Sequence, residues 1–411
     1  MSNKAPTQLF RQTILNMRGE GGFAYIARGR ALAAKGYKVV NLSIGQPDVP
    51  TPENVIDAAV YALKEEKYTA YTETPGIPEL RQAIADYLNE RYGSDVEPDE
   101  VIVTPGTKGA IFLALATYLS AGDEIIVPEP SYPAYPEGAK ILDAKPVYVP
   151  LEFKGPEKGF HLDLETIEKT ITPKTKMIAI NNPHNPTGAL FTPKQLDELM
   201  DIARRHKIMI LADEIYDNFV YDGAEFKSLL SYPDWRDYVV YTNGFSKTFS
   251  MTGWRLGYLV VRKDVARHLS KLAVNIWGCP VSFAQKAAIT ALKDPETWKW
   301  VDQLSKRYAE MRTLLYNELS KTPGVEVYKS QGAFYLFPRV KQILEQTGLT
   351  AEQLVGYIID NHQLIILPGT AFPDTAGKHY MRFSFATNKE TILEGAKRFK
   401  QAIQELIEKQ K

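Results

Sequence analysis

Lys247 stands in Gly-Phe-Ser-Lys-Thr-Phe-Ser-Met-Thr-Gly-Trp-Arg (residues 244–255), an amine boxed by hydroxyls with a guanidinium eight residues on. A lysine so placed suits chemistry in which its amine condenses with an aldehyde while Ser246 and Arg255 hold a phosphate on the same molecule. Taken alone, the segment reads as readily as an ordinary surface lysine among 49 Lys and Arg residues. Its meaning depends on its company.

An apolar run at 209–212 ends in Asp213-Glu214-Ile215-Tyr216. Asp213 could pair with a protonated pyridine nitrogen, keeping the ring an electron sink, or it could cap a helix. If Lys247 holds an aldehyde cofactor in this way while its neighbours hold a phosphate, that cofactor is pyridoxal phosphate. Tyr216, one helical turn on, could hydrogen-bond the phenolic oxygen of such a ring or simply pack. After a run at 177–180 comes Asn-Asn-Pro-His-Asn-Pro-Thr-Gly (181–188), whose two Asn-Pro steps make a rigid loop. That loop either fixes the Asn185 amide for the same oxygen or is only a turn.

Gly106-Thr107-Lys108 follows a run at 101–103 and opens a helical pattern, so its N–H groups and the helix dipole would face an anion. Neither a Walker loop nor a Gly-x-Gly-x-x-Gly fingerprint follows a strand, which disfavours a nucleotide phosphate. Tyr132, after a run at 124–127, could stack on a planar ring or fill a core. Arg382 is a lone charge in the apolar Tyr-Met-Arg-Phe-Ser-Phe (380–385); it needs either a substrate carboxylate or a structural salt bridge.

The elements that must position these groups alternate. Strands are predicted at 101–103, 124–127, 146–149, 177–180, 209–212, 239–242 and 256–261, with helices at 108–119 and 193–205 between some of them. This is the α/β pattern of a mostly parallel seven-stranded sheet covered by helices, with ligands at the carboxyl ends of its strands. Beyond Asp294-Pro295 one amphipathic helix at 296–321 leads to a smaller α+β region with strands at 325–328, 334–337, 364–366 and 381–385 and a closing helix at 389–408. A large domain at 49–297 and a discontinuous small domain at 1–48 and 298–411 are expected.

Composition narrows the partners. The 411 residues carry 49 basic and 49 acidic side chains, so no net field favours nucleic acid or an anionic membrane. The single cysteine, Cys279, excludes an intrachain disulfide and a cysteine-based metal cage and suits a reducing cytoplasm; no metal site is expected. Apolar runs such as 110–119 are too short to span a bilayer. Lys4, Arg11 and Arg18 with no acid before Glu20 give a faint transit-peptide flavour without the usual serine richness, and a cytoplasmic location is expected.

Together these segments resemble the fold-type I, class I aminotransferases that use pyridoxal phosphate, closest in spelling to the prokaryotic aspartate aminotransferase branch, over nearly the whole chain. Five ordered blocks carry the resemblance: Ser-Ile-Gly-Gln-Pro-Asp (43–48), Tyr-Thr-Glu-Thr-Pro-Gly (71–76), residues 181–188, Ala-Asp-Glu-Ile-Tyr (212–216), and Ser246-Lys247-Thr248 with Gly253-Trp254-Arg255. The resemblance implies that Lys247 is the Schiff-base lysine and proton shuttle, Asp213 the ring-nitrogen partner, Asn185 and Tyr216 the donors to the phenolic oxygen, and Tyr132 the stacking ring. Gly106, Thr107, Ser246 and Arg255 would hold the phosphate, with Lys108 beside them and Tyr71 reaching in from a second subunit of a homodimer. Arg382 and the Gly45 backbone would grip the substrate α-carboxylate, assisted by Asn185. Cis bonds are implied at Asn185–Pro186 and Glu129–Pro130.

The expected reaction is ping-pong amino transfer between an L-amino acid and a 2-oxo acid, with aspartate and 2-oxoglutarate as the default pair. Lys108 is a candidate ligand for an acidic side chain, yet residues 23–26 and 275–278 look apolar where they would approach the side-chain pocket, which keeps aromatic, alanine or broad specificity open. A β-lyase could share Lys247, Asp213 and Arg382. A non-catalytic effector module would need a basic DNA-binding extension, and none precedes Gly45.

Overall fold

Seven short runs of β-branched and aliphatic residues form one sheet: β1 (Val101–Thr104), β2 (Glu124–Glu129), β3 (Lys145–Pro150), β4 (Thr175–Asn181), β5 (Met209–Asp213), β6 (Val239–Gly244) and β7 (Gly257–Val260). The computed structural model describes residues 10–19, 21–373 and 375–409, so Lys4 and Glu20 of the basic N-terminal stretch lie outside the described residues. The sheet order is β1-β7-β6-β5-β4-β2-β3. Only β7 runs antiparallel to its neighbours; the other pairings are parallel.

The central strands are apolar on both faces because both faces are covered. Ile178, Ile180, Ile210, Ala212 and Val239 pack in one core with Leu80, Ile84 and Leu88 of the helix Pro78–Tyr92 and Leu196, Leu199 and Met200 of Pro193–His206. The alternate residues Met177, Ala179, Leu211 and Val240 pack in another, with Ile111 and Leu115 of Gly106–Tyr118 and Leu269 of Lys263–Ile276.

A further apolar core gathers the C-terminal region. Its three-stranded antiparallel sheet sets Met381–Ser384 between Tyr335–Leu336 and Leu367–Pro368. Val40–Asn41 pairs with Leu364–Ile365, tying early residues to late ones. The long helix Pro295–Ser320 starts on an Asp294 cap, whose carboxylate accepts the Glu296 N–H at 2.9 Å, with proline at the first turn. Val301 on that helix joins the core of the large sheet, whereas Leu304, Tyr308, Met311 and Leu315 join the C-terminal core, so one rod serves both. The predicted strand at 325–328 is not formed; Glu326 makes an isolated bridge to Arg339. Glu326 and Arg339 exchange both backbone hydrogen bonds, at 2.9 and 2.8 Å, and no further bridge extends that pair among the described residues.

Candidate active site

Parallel strands present their last residues at one edge, and that edge collects the reactive groups. Asp213 ends β5, Asn181 ends β4 beside it, Lys247 and Ser246 follow β6, Tyr132 follows β2, and the helix Gly106–Tyr118 starts just after β1. A cavity of about 540 Å³ lies there, lined by Gly45, Thr107, Lys108, Tyr132, Asn185, Asp213, Tyr216, Ser246, Lys247, Arg255 and Arg382 among others.

The Lys247 amine donates to the Gly45 carbonyl at 2.5 Å, a bond joining the lysine connector to the early Ser43–Asp48 block. Asp213 is buried; its Oδ2 accepts the Tyr135 hydroxyl at 2.6 Å and its Oδ1 the Ile215 N–H at 3.2 Å. The second bond is a local turn contact; residues 215–218 form a turn rather than a helix, so Asp213 is not a helix cap. Burial pushes this carboxyl up to about 6, against the pull of those two donors and of the Lys247 charge. A cation set against it would return it to the ionised form, which is the fit expected for a protonated ring nitrogen.

Asn181 fastens the neighbouring loop: its Nδ2 donates to the Asp213 carbonyl at 2.9 Å and its Oδ1 accepts the Asn185 N–H at 2.7 Å. Arg382 donates to the Asn185 Oδ1 at 3.0 Å and to the Ser43 carbonyl at 2.6 Å. Because a guanidinium only donates, the amide oxygen must face Arg382, which leaves the Asn185 Nδ2 hydrogens for another acceptor. The guanidinium lies between the rings of Tyr335 and Phe372, 4.3 and 4.6 Å from their centroids, and its Nε is buried without a partner among the described residues. Its hydrogen bonds go to neutral oxygens, and among the described residues it makes no salt bridge.

The phosphate candidates also converge. Gly106 has φ +73°, and a Cβ there would come 2.3 Å from the Arg255 guanidinium, so only glycine allows the helix start and that charge to meet. Arg255, itself left-handed at φ +56°, is braced by donating to the Thr252 carbonyl at 2.8 Å. Cationic, hydroxyl and N–H donors thus face one end of the cavity.

Two expected contributors stand apart. Tyr71 is 93% exposed and does not line the cavity of its own chain. Phe23 and Ile26 line the cavity, but residues 275–278 do not, and Ile276 is exposed. That stretch ends the helix Lys263–Ile276, whose buried residues Ala266, Leu269 and Ala273 turn to the sheet and leave its tip outside the cavity wall.

Sequence reasoning missed Tyr135, Asn181, Tyr335 and Phe372. Tyr135 sits one turn beyond Tyr132 and could have been found from that spacing; Tyr335 and Phe372 read as ordinary core aromatics. The Glu129–Pro130 and Asn185–Pro186 bonds are cis as expected, and so is Asn182–Pro183, which was not anticipated.

Glu214, directly behind Asp213, is buried with its Oε1 accepting the Leu229 N–H at 2.8 Å and its Oε2 unpartnered among the described residues. Burial pushes its carboxyl from 4.5 up to about 8. A raised folded-state value means that the folded chain binds the extra proton, so the associated stability is complete below about pH 4.5 and is lost as pH rises through about 8. Thermal melts of the ligand-free protein should therefore fall over that window more steeply for the wild type than for Glu214→Gln. Parallel curves would mean that the carboxyl is already ionised at neutral pH.

Comparison with known proteins accords with this geometry. The family model described as aminotransferase class I and II matches residues 37–399. An aspartate aminotransferase of Sulfolobus acidocaldarius is 44% identical over 399 residues, spanning 97% of this chain and 98% of that protein. Among solved structures, an alanine aminotransferase of Pyrococcus furiosus superposes with a TM-score of 0.88 at 33% identity, covering 96% of this chain and 100% of that one. An aromatic aminotransferase of Pyrococcus horikoshii superposes with a TM-score of 0.85 at 34% identity, covering 91% and 98%. With a family match over most of its length and a cavity built around a lysine amine, a buried carboxylate and an anion cradle, the chain belongs to the class I and II aminotransferases, enzymes that work through pyridoxal phosphate.

Proposed function

We propose that this aminotransferase prefers aspartate as donor and 2-oxoglutarate as acceptor in a ping-pong cycle, with Lys247 as its covalent and proton-moving residue. The observation that carries the reading is the convergence of the Lys247 amine, the Asp213 carboxylate and the Arg382 guanidinium on one cavity beside a helix N-terminus. The residues fit pyridoxal phosphate. Thr107, Ser246, Arg255 and the N–H groups that start at Gly106 would hold its phosphate, with Lys108 close by. Asp213 would face the ring nitrogen, Asn185 and Tyr216 the phenolic oxygen, and Tyr132 the ring face.

Bound there, the cofactor supplies an aldehyde that condenses with amines and a ring that takes up the electron pair left when a substrate α-proton departs. Arg382 and the Gly45 backbone hold the α-carboxylate, which fixes the α-carbon within reach of Lys247. The Lys247 amine would take the α-proton of the bound amino acid and carry it within the cavity, and would return a proton to the α-carbon in the second half-reaction. Asp213, kept from water, would offer its negative charge to a protonated ring nitrogen held in the cavity.

Preference for aspartate is supported by the Sulfolobus relative and by the position of Lys108 on the cavity wall. A broad or aromatic specificity is the second reading, favoured by the apolar wall of Phe23, Ile26, Ile111 and Phe372. Assay of aspartate, alanine, phenylalanine and tyrosine against 2-oxoglutarate, pyruvate and oxaloacetate separates the two. The first expects kcat/KM to be greatest for aspartate with 2-oxoglutarate; a greater value for phenylalanine or alanine overturns it.

The reading includes a homodimer to which Tyr71 contributes from the partner. Support comes from the exposure of so large an aromatic, on a segment whose Tyr68 carbonyl and Thr72 hydroxyl accept hydrogen bonds from Ser282 and Gln285, beside the exposed Val281. Division into lobes at 49–297 and at 1–48 with 298–411 is supported by the pairing of Val40–Asn41 with Leu364–Ile365. A cytoplasmic setting is supported by the lone thiol of Cys279. No helix among the described residues is long and apolar enough to cross a membrane.

A further inference from the structure

Tyr335 has no part in the roles above, yet it touches three of the groups that do. It lies on the short strand Tyr335–Leu336, opposite Ser384 of the strand that carries Arg382. Its side chain is buried. The hydroxyl is 2.8 Å from that of Tyr216, and the ring lies against the Arg382 guanidinium. A Cβ on residue 45 would come 2.5 Å from the same hydroxyl oxygen, so Tyr335 sits hard against the glycine whose carbonyl receives the Lys247 amine.

Between two hydroxyls at this distance only one hydrogen can occupy the bond. If Tyr216 spends its hydrogen on Tyr335, it has none to offer an acceptor in the cavity. If Tyr335 donates, the Tyr216 hydrogen turns toward the cavity, and each bond in the chain polarises the next. The positive charge of Arg382 over the Tyr335 ring withdraws electron density from that phenol and makes it the better donor of the pair.

We propose that Tyr335 is a positioning residue that donates its hydroxyl hydrogen to Tyr216, aiming the Tyr216 hydrogen at the cofactor's phenolic oxygen, while its ring holds the Arg382 guanidinium in place. The inference rests on the roles proposed above for Tyr216 and Arg382. It gives one side chain a hand in both cofactor electronics and substrate anchoring.

The test is a pH titration of the visible absorbance of the holoenzyme. A hydroxyl that donates to the phenolic oxygen weakens that oxygen's hold on a nearby shared proton, so losing the donor moves the spectral midpoint to higher pH. Tyr216→Phe is expected to raise the midpoint, Tyr335→Phe to raise it by a smaller amount, and the double variant to match Tyr216→Phe alone. Tyr335→Phe keeps the ring and should leave KM for the amino acid within about twofold, whereas Tyr335→Leu removes the ring and should raise KM roughly tenfold. The proposal is overturned if Tyr335→Phe leaves the midpoint in place, or if its shift adds in full to that of Tyr216→Phe. A Tyr216→Phe variant with an unmoved midpoint refutes the role of Tyr216 and the proposal with it.

Discussion

Lys247→Ala should yield a folded protein whose turnover falls by roughly 10⁴-fold or more, since it removes both the nucleophilic amine and the proton carrier. Lys247→Arg should be nearly as inactive: it keeps a positive charge near Gly45 but has no amine able to condense with an aldehyde. Borohydride reduction of the wild-type holoenzyme followed by peptide mass analysis should place the cofactor adduct on the peptide containing Lys247, and neither variant should carry it. An adduct on another lysine, or an alanine variant within tenfold of wild-type turnover, would refute the assignment. Loss of the amine leaves a small gap beside the Gly45 carbonyl, so thermal stability without cofactor should change little.

Asp213→Asn should have the next largest effect. The substitution keeps shape but cannot offer a negative charge to the ring nitrogen, and removing one member of a buried charge pair typically costs about 3–5 kcal/mol. If that cost falls on the transition state, kcat drops by roughly 10²–10³-fold. The Ile215 N–H and the Tyr135 hydroxyl donate to different oxygens of the carboxylate; in the amide the remaining oxygen can keep the N–H while the Tyr135 hydroxyl turns to accept from the new NH2 group, so folding should survive. Because burial holds the carboxyl near 6, a cationic ligand facing it should displace its proton, so binding should release more protons below that pH than above it. Calorimetry of cofactor binding in buffers of different ionisation enthalpy would measure this. A variant with kcat within threefold of wild type would show that ring charge is maintained by some other group.

Much of this is legible in the sequence, for physical reasons. The strands of the large sheet are buried on both faces, so they appear as unbroken runs of Ile, Val, Leu and Ala that can be read with no knowledge of their neighbours. Asp213, Asn185, Lys247 and Arg255 were findable because each is a polar residue at the end of such a run or in a loop rich in Pro and Gly. What escaped is of another kind. Tyr335 and Tyr135 are aromatic residues among other aromatics, and only a partner distant in the chain, Tyr216 or Asp213, turns their hydroxyls into parts of a site. Likewise the strand expected at 325–328 shrinks to a single bridge between Glu326 and Arg339, because how far a run pairs is decided by a partner that local pattern cannot announce. Tyr71 marks the remaining gap: it is exposed and does not line the cavity of its own chain.

The reversed direction of β7 has a mechanical outcome. Because Gly257 pairs with Gly244, the stretch between β6 and β7 is a closed hoop of twelve residues, 245–256, stapled to the sheet at both feet. Had β7 run the other way, its leading residue would emerge at the far rim and Arg255 would be stranded there. The hoop instead delivers amine and guanidinium to the same rim with little slack, so lengthening it by even one residue should disturb covalent capture and anion capture together, however far from either the insertion is made.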